Sequence, residues 1–123
     1  MGLDLNLRPV NNSNQITWAD FSKVDIRVGT IIDAQPFEKA IKPAYQLQID
    51  FGEKIGIKKT SAQITKRYQL SDLIGKQVLA VINFPPKQIA NFMSECLILG
   101  AVDGSDVILI QPDAAVKNGL RIA

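Results

Sequence analysis

The side chains with most to offer a ligand lie in one stretch, Gln77 to Gly100, QVLAVINFPPKQIANFMSECLILG. Between two apolar runs it places Lys87, Gln88, Ile89, Asn91, Phe92, Met93 and Ser94. An ammonium group attracts anions, amides read hydrogen-bonding edges, and a thioether or aromatic ring adapts to irregular apolar surfaces. A loop that keeps these groups together suits binding better than simple connection. The alternative is that Ile89, Phe92 and Met93 fold back as a lid on the core. Covalent chemistry is poorly served. The chain has no histidine and one cysteine, so His-containing zinc sites and Ser-His-Asp or Cys-His nucleophiles have no material. No Gly-rich phosphate loop occurs. No catalytic residue, metal ligand or cofactor is assigned, and the chain reads as a binding protein, not an enzyme.

Charge points the same way. The net charge is +2, but from Lys54 to Ser94 seven cationic residues stand against one acid, Asp72, while the remainder carries seven cations and eleven acids. The middle of the chain is therefore a basic segment suited to an anionic partner, unless its lysines only solvate the surface. At 123 residues with 46% hydrophobic content, one core and one domain are expected. No apolar run reaches the ~20 residues needed to span a bilayer. The absence of a secretory-type start and the solitary Cys96 make the cytoplasm the expected compartment.

The elements that must hold the loop read mainly as strands. Residues 1–14 lack periodicity and read as a flexible arm, with a single domain over 15–123. Thr17 opens a short helical turn with Asp20 three residues on, a capping-box pattern, and Trp18 and Phe21 are expected to anchor that turn. Val24 to Ala34 is β-branched, with Gly29 marking a bend or bulge. Tyr45 to Phe51 alternates, with Tyr45, Leu47, Ile49 and Phe51 inward. Lys54 to Ser61 forms a third strand, followed by a helix over Ala62–Tyr68 and a second short turn ended by Gly75. Val78 to Phe84 is a fourth strand, stopped by Pro85-Pro86. A fifth starts at Cys96, and Asp103-Gly104 turns a hairpin. The order predicts a mainly β protein: a five-stranded OB-fold barrel, a short helix between strands 3 and 4, and N- and C-terminal extensions.

The strings KVDIRVGTII, KPAYQLQIDFG, GIKKTSAQIT, VINFPPKQIANFMSE and NGLRI, in this order, resemble the CsaA family. These are stand-alone relatives of the tRNA-binding domain appended to some methionyl- and phenylalanyl-tRNA synthetases. The resemblance runs from about Trp18 to Ile122. It implies an OB fold, a homodimer, tRNA binding, and chaperone-like binding of unfolded precursor proteins for export, with the export machinery as a further partner. By motif it points to Ser61, Asn83, Ser94 and Glu95; Lys58, Lys59, Lys87, Phe92 and Met93 join them from the charge map and the loop. Two departures separate the chain from the synthetase domains. Ser94-Glu95-Cys96-Leu97 replaces a Ser-x-Gly-Met pattern, and Lys58-Lys59 stands where an Arg-Gln pair is usual. Structural roles compete at each position. Ser61 could cap the following helix, Asn83 could satisfy backbone groups, and Glu95 could orient Lys87 or a neighbouring amide. Lys58 and Lys59 point to opposite faces of one strand.

Overall fold

The computed structural model describes residues 14–123; the arm expected over 1–14 lies, apart from Asn14, outside the described residues. A first turn, α1 (Trp18–Ser22), is capped by Thr17, whose side-chain oxygen accepts the Asp20 amide at 3.1 Å while Asp20 Oδ2 accepts the Thr17 amide at 3.0 Å. This reciprocal arrangement satisfies two amides that a helix start leaves unpaired. Trp18, however, is not an anchor. The residue is 89% exposed, while Phe21 is half-buried.

Strand β1 (Ile26–Pro36) organises the barrel. Its first half pairs with β4 (Gln77–Val81) and its second half with β2 (Tyr45–Asp50). A bulge between Ile31 and Asp33 lets one strand serve both neighbours, because an extra residue bends and twists it. The bend was expected at Gly29, and the structure moves it three residues on. Gly29 answers a different constraint: a Cβ there would lie 2.5 Å from Ile49 Cγ2 and 2.8 Å from the Phe51 ring. Strand β2 pairs in turn with β3 (Ile57–Ala62), as the alternation of Leu47, Ile49 and Phe51 requires.

No helix forms over 62–68. Ala62 finishes β3, and the segment continues as a turn that buries Ile64. The short helix is instead α2 (Leu70–Leu73), which buries Leu73 beneath β1. A four-residue spacing of Ile64 and Tyr68 mimicked a helical face, yet both serve a loop; Tyr68 is held by its hydroxyl, which accepts the Leu109 amide at 3.0 Å.

Beyond β4 the chain departs from the strand expected to reach Phe84. The ladder ends at Val81, and Phe84 is 54% exposed. After Pro85-Pro86 the loop folds into a hairpin of its own, β5 (Lys87–Ile89) against β6 (Phe92–Ser94). Strand β7 (Leu97–Ile98) then returns to β4, and β8 (Gly100–Asp103) and β9 (Asp106–Leu109) form the hairpin signalled by Asp103-Gly104. Finally β10 (Arg121–Ile122) pairs with the start of β1. At the preceding turn Gly119 has φ +91°, and a Cβ would lie 2.6 Å from the Phe51 carbonyl oxygen. Only glycine fits such an approach comfortably.

Five strands, β3-β2-β1-β4-β7, thus wrap an antiparallel barrel that is nearly closed. Ile31, Leu47, Ile49, Phe51, Val78 and Ala80 fill it, each 1% exposed or less.

Candidate functional site

The gap between β3 and β7 is where the barrel and the loop hairpin meet, and it holds most of the singled-out side chains. The Glu95 amide donates to the Lys59 carbonyl at 2.7 Å, and the Lys59 amide donates back to Glu95 Oε1 at 2.9 Å. Glu95 therefore orients a neighbouring amide. Beside it, Thr60 Oγ1 donates to the Cys96 carbonyl at 2.8 Å, and Ser94 Oγ lies 3.2 Å from Thr60 Oγ1 while accepting the Ser61 amide at 3.3 Å. Thr60 is the polar member of the buried set, and this network meets its needs.

Alternation along β3 decides which side chains leave the barrel. Thr60 and Ala62 are buried, so Lys59 and Ser61 project from the opposite face. Lys59 Nζ stands 5.2 Å from the centroid of the Phe92 ring, within cation–π range. Phe92 itself leans on the buried Phe37, with centroids 5.4 Å apart and planes tilted by 57°. It is thus neither wholly a lid nor wholly free: Phe37 holds the ring and Lys59 covers it. Lys58 takes the face opposite to Lys59. Burial pushes the Cys96 thiol up to about 12, opposed first by the Thr60 hydrogen bond and then by the charge of Lys58.

An open cleft of about 330 Å³ lies against this network, with Ser61, Ser94, Phe84, Ile89, Leu97 and Lys87 on its walls. The Ser61 hydroxyl makes no hydrogen bond among the described residues, and the segment directly after it is a turn that offers no helix start to cap. It faces a second cleft as well, of about 390 Å³, on the other side of Ile89. Lys87 is exposed and opposite Ser94 in the hairpin. At the hairpin tip Ala90 adopts φ +51°, a left-handed conformation that non-glycine residues seldom occupy.

Two positions fall outside this cluster. Asn83 is exposed, accepts the Asp25 amide at 3.0 Å and donates to the Lys23 carbonyl at 2.6 Å, tying the entry of β1 to the end of β4. Met93 alternates to the face of β6 opposite Phe92 and is 41% exposed. Thr60, Phe37 and Phe84 were missed from sequence. For Phe84 a signal existed, because an aromatic residue directly before two prolines sits where a ladder must stop.

The barrel and its edge cluster define a class. Residues 26–121 match the family described as "Putative tRNA binding domain", and the chain belongs to that family. Methionine–tRNA ligase of Halalkalibacterium halodurans is 39% identical over 108 residues, covering 87% of this chain and 16% of the ligase. For that of Thermococcus onnurineus the identity is 36% over 107 residues, covering 87% and 14%. The chain therefore spans about a sixth or less of the length of these curated relatives. Within the family it falls in the CsaA group. The structure of the CsaA chaperone protein from Picrophilus torridus superposes with a TM-score of 0.84 at 56% identity, covering 89% of this chain and all of that one. Chaperone CsaA of Bacillus anthracis superposes with a TM-score of 0.85 at 49% identity, covering 89% and 99%.

Proposed function

We propose that this chain is a non-catalytic tRNA-binding protein of the CsaA type, acting in the cytoplasm. The observation that carries the reading is the arrangement at the β3 edge. Lys59 over Phe92 offers a cation backed by an aromatic ring, and the free Ser61 hydroxyl and Lys87 border the adjoining cleft. Phosphate attracts the ammonium groups, while unpaired bases find apolar surface and a hydroxyl to read. Replacing Lys58, Lys59 and Lys87 together by glutamine tests it. Affinity for tRNA should fall, and the dependence on salt should flatten by roughly one unit of log–log slope per lost phosphate contact. Unchanged affinity and slope would remove the reading.

A second reading has an observation of its own. Phe84, Pro85, Ile89 and Leu97 give the cleft a largely apolar lining, which suits side chains of an unfolded precursor protein destined for export. Salt separates the two, since apolar capture persists at ionic strengths that release RNA.

Assembly as a homodimer belongs to the same proposal. Ile16, Trp18 and Leu120 are exposed, and Ile16, Trp18 and Phe21 gather with Ala123 around one shallow cleft. An exposed apolar patch joining both chain extensions suits burial against a second copy. Light scattering at micromolar concentration should give about twice the 13.5 kDa chain mass; the mass of a single chain would refute it.

A further inference from the structure

Three open clefts that share lining residues meet around the end of β3 and the turn that follows it. The first, beside Lys87, shares Ser61 and Ile89 with the second; the second shares Lys42 and Gln63 with a third, of about 550 Å³, that runs on past Thr65 and Lys66 to the β8–β9 turn. Their combined lining includes three lysines, Lys87, Lys42 and Lys66, and no carboxylate. In a chain with 12 acids to 14 bases, that segregation is the physical signature of a surface for a polyanion. Two acids, Asp103 and Asp106, flank the far end in sequence without lining it, and Asp106 is engaged by Arg67 through two bonds of 2.9 and 2.8 Å. Its charge is thereby matched locally, and the same clamp fixes the β8–β9 hairpin as the groove's far wall. None of the three lysines forms an ion pair among the described residues.

The geometry points to a single continuous track, from Lys87 through Lys42 to Lys66, that holds an unpaired stretch of RNA. Lysines contact successive phosphates, and Phe84 and Ile41, 54% exposed and fully exposed respectively, offer apolar surface to bases. This extends the proposed tRNA binding, and rests on it, by adding Lys42 and Lys66, which line the adjoining clefts and not the one beside Lys87. A paired helix presents its phosphates on two strands around a cylinder, and a one-sided groove with apolar walls does not match that shape.

The test measures tRNA affinity against salt for wild type, Lys42→Gln, Lys66→Gln and the off-groove control Lys117→Gln, with single-stranded and duplex oligoribonucleotides of equal length as competitors. Each groove variant should reduce the log–log salt slope by about 0.7, the value for one phosphate contact on a single strand. Lys117→Gln should match wild type, and the single strand should outcompete the duplex. Wild-type slopes in both groove variants, with the Lys58/Lys59/Lys87 replacement still weakening tRNA, would overturn the track and leave the proposed function standing. No effect from any of these replacements would overturn both. Displacement of tRNA by an unfolded polypeptide, unaffected by salt, would assign the groove to peptide and refute the track.

Discussion

Lys59 and Glu95 are bonded to each other twice, backbone to backbone at 2.7 Å and backbone to carboxylate at 2.9 Å. This pair spans the gap between β3 and β7 and fixes the strand that presents Lys59 to solvent. Glu95→Ala removes the acceptor of a part-buried amide and should lower stability by ~1–2 kcal/mol. Glu95→Gln keeps an acceptor and should lose less. Urea unfolding of the two variants checks the order; equal losses would mean that the carboxylate's charge, not its acceptor, matters.

Phe92→Ala should reduce stability by ~1–2 kcal/mol, below the ~3 kcal/mol of a fully buried ring, because only one side of it rests on Phe37. The same change should weaken tRNA binding by removing the ring beneath Lys59. Ser94→Ala leaves the Ser61 amide without its acceptor, so it should cost ~1 kcal/mol despite the small volume removed. Melting temperatures and tRNA titrations on both variants separate the contributions.

Ala90 at φ +51° holds the tip of the β5–β6 hairpin in a conformation costing roughly 1 kcal/mol for a residue with a Cβ. Ala90→Gly should therefore stabilise the protein by up to ~1 kcal/mol. A denaturant midpoint at or below the wild-type value would contradict this.

Arg67 holds the Asp106 carboxyl below its ordinary pKa of 3.8, chiefly through the side-chain hydrogen bond. A depressed carboxylate stabilises the fold fully above its ordinary pKa, and the contribution fades as pH falls through the folded value. Amide exchange in β8 and β9 should be slower in wild type than in Asp106→Asn at about pH 6, and the difference should vanish in strong acid. A difference independent of pH would show that charge is not what latches the hairpin.

Strands with strict alternation were legible from sequence because burial on one face leaves a two-residue pattern. Leu47, Ile49 and Phe51 are buried as expected. The capping box at Thr17 and the turn at Asp103-Gly104 were legible because local chemistry fixes them. Gly29 was misread since a bulge and a close ring contact demand the same residue; only the distance to Phe51 distinguishes them. The helix over 62–68 failed because Tyr68 is positioned by partners distant in sequence, Tyr45 and Leu109. Lys59, Ser61, Phe92, Ser94 and Glu95, picked out by residue type and motif, come together around the gap between β3 and β7 because β3 and the β5–β6 hairpin pack there. Neither spacing nor charge could reveal that Asn83 ties down the entry to β1.

The pairing of β10 with β1 has a kinetic consequence. Arg27 Nη1 donates to the Gly119 carbonyl across 92 residues of chain, so β1 begins folding with one flank unmatched. The β1–β2–β3 meander can assemble early from neighbouring segments, whereas Arg121 and Ile122 must be synthesised before that flank is covered. Until then the flank beside Ile26 and Arg27 is an open template onto which another chain's strand could add. Two residues at the end of the fold thus act as its guard against aggregation.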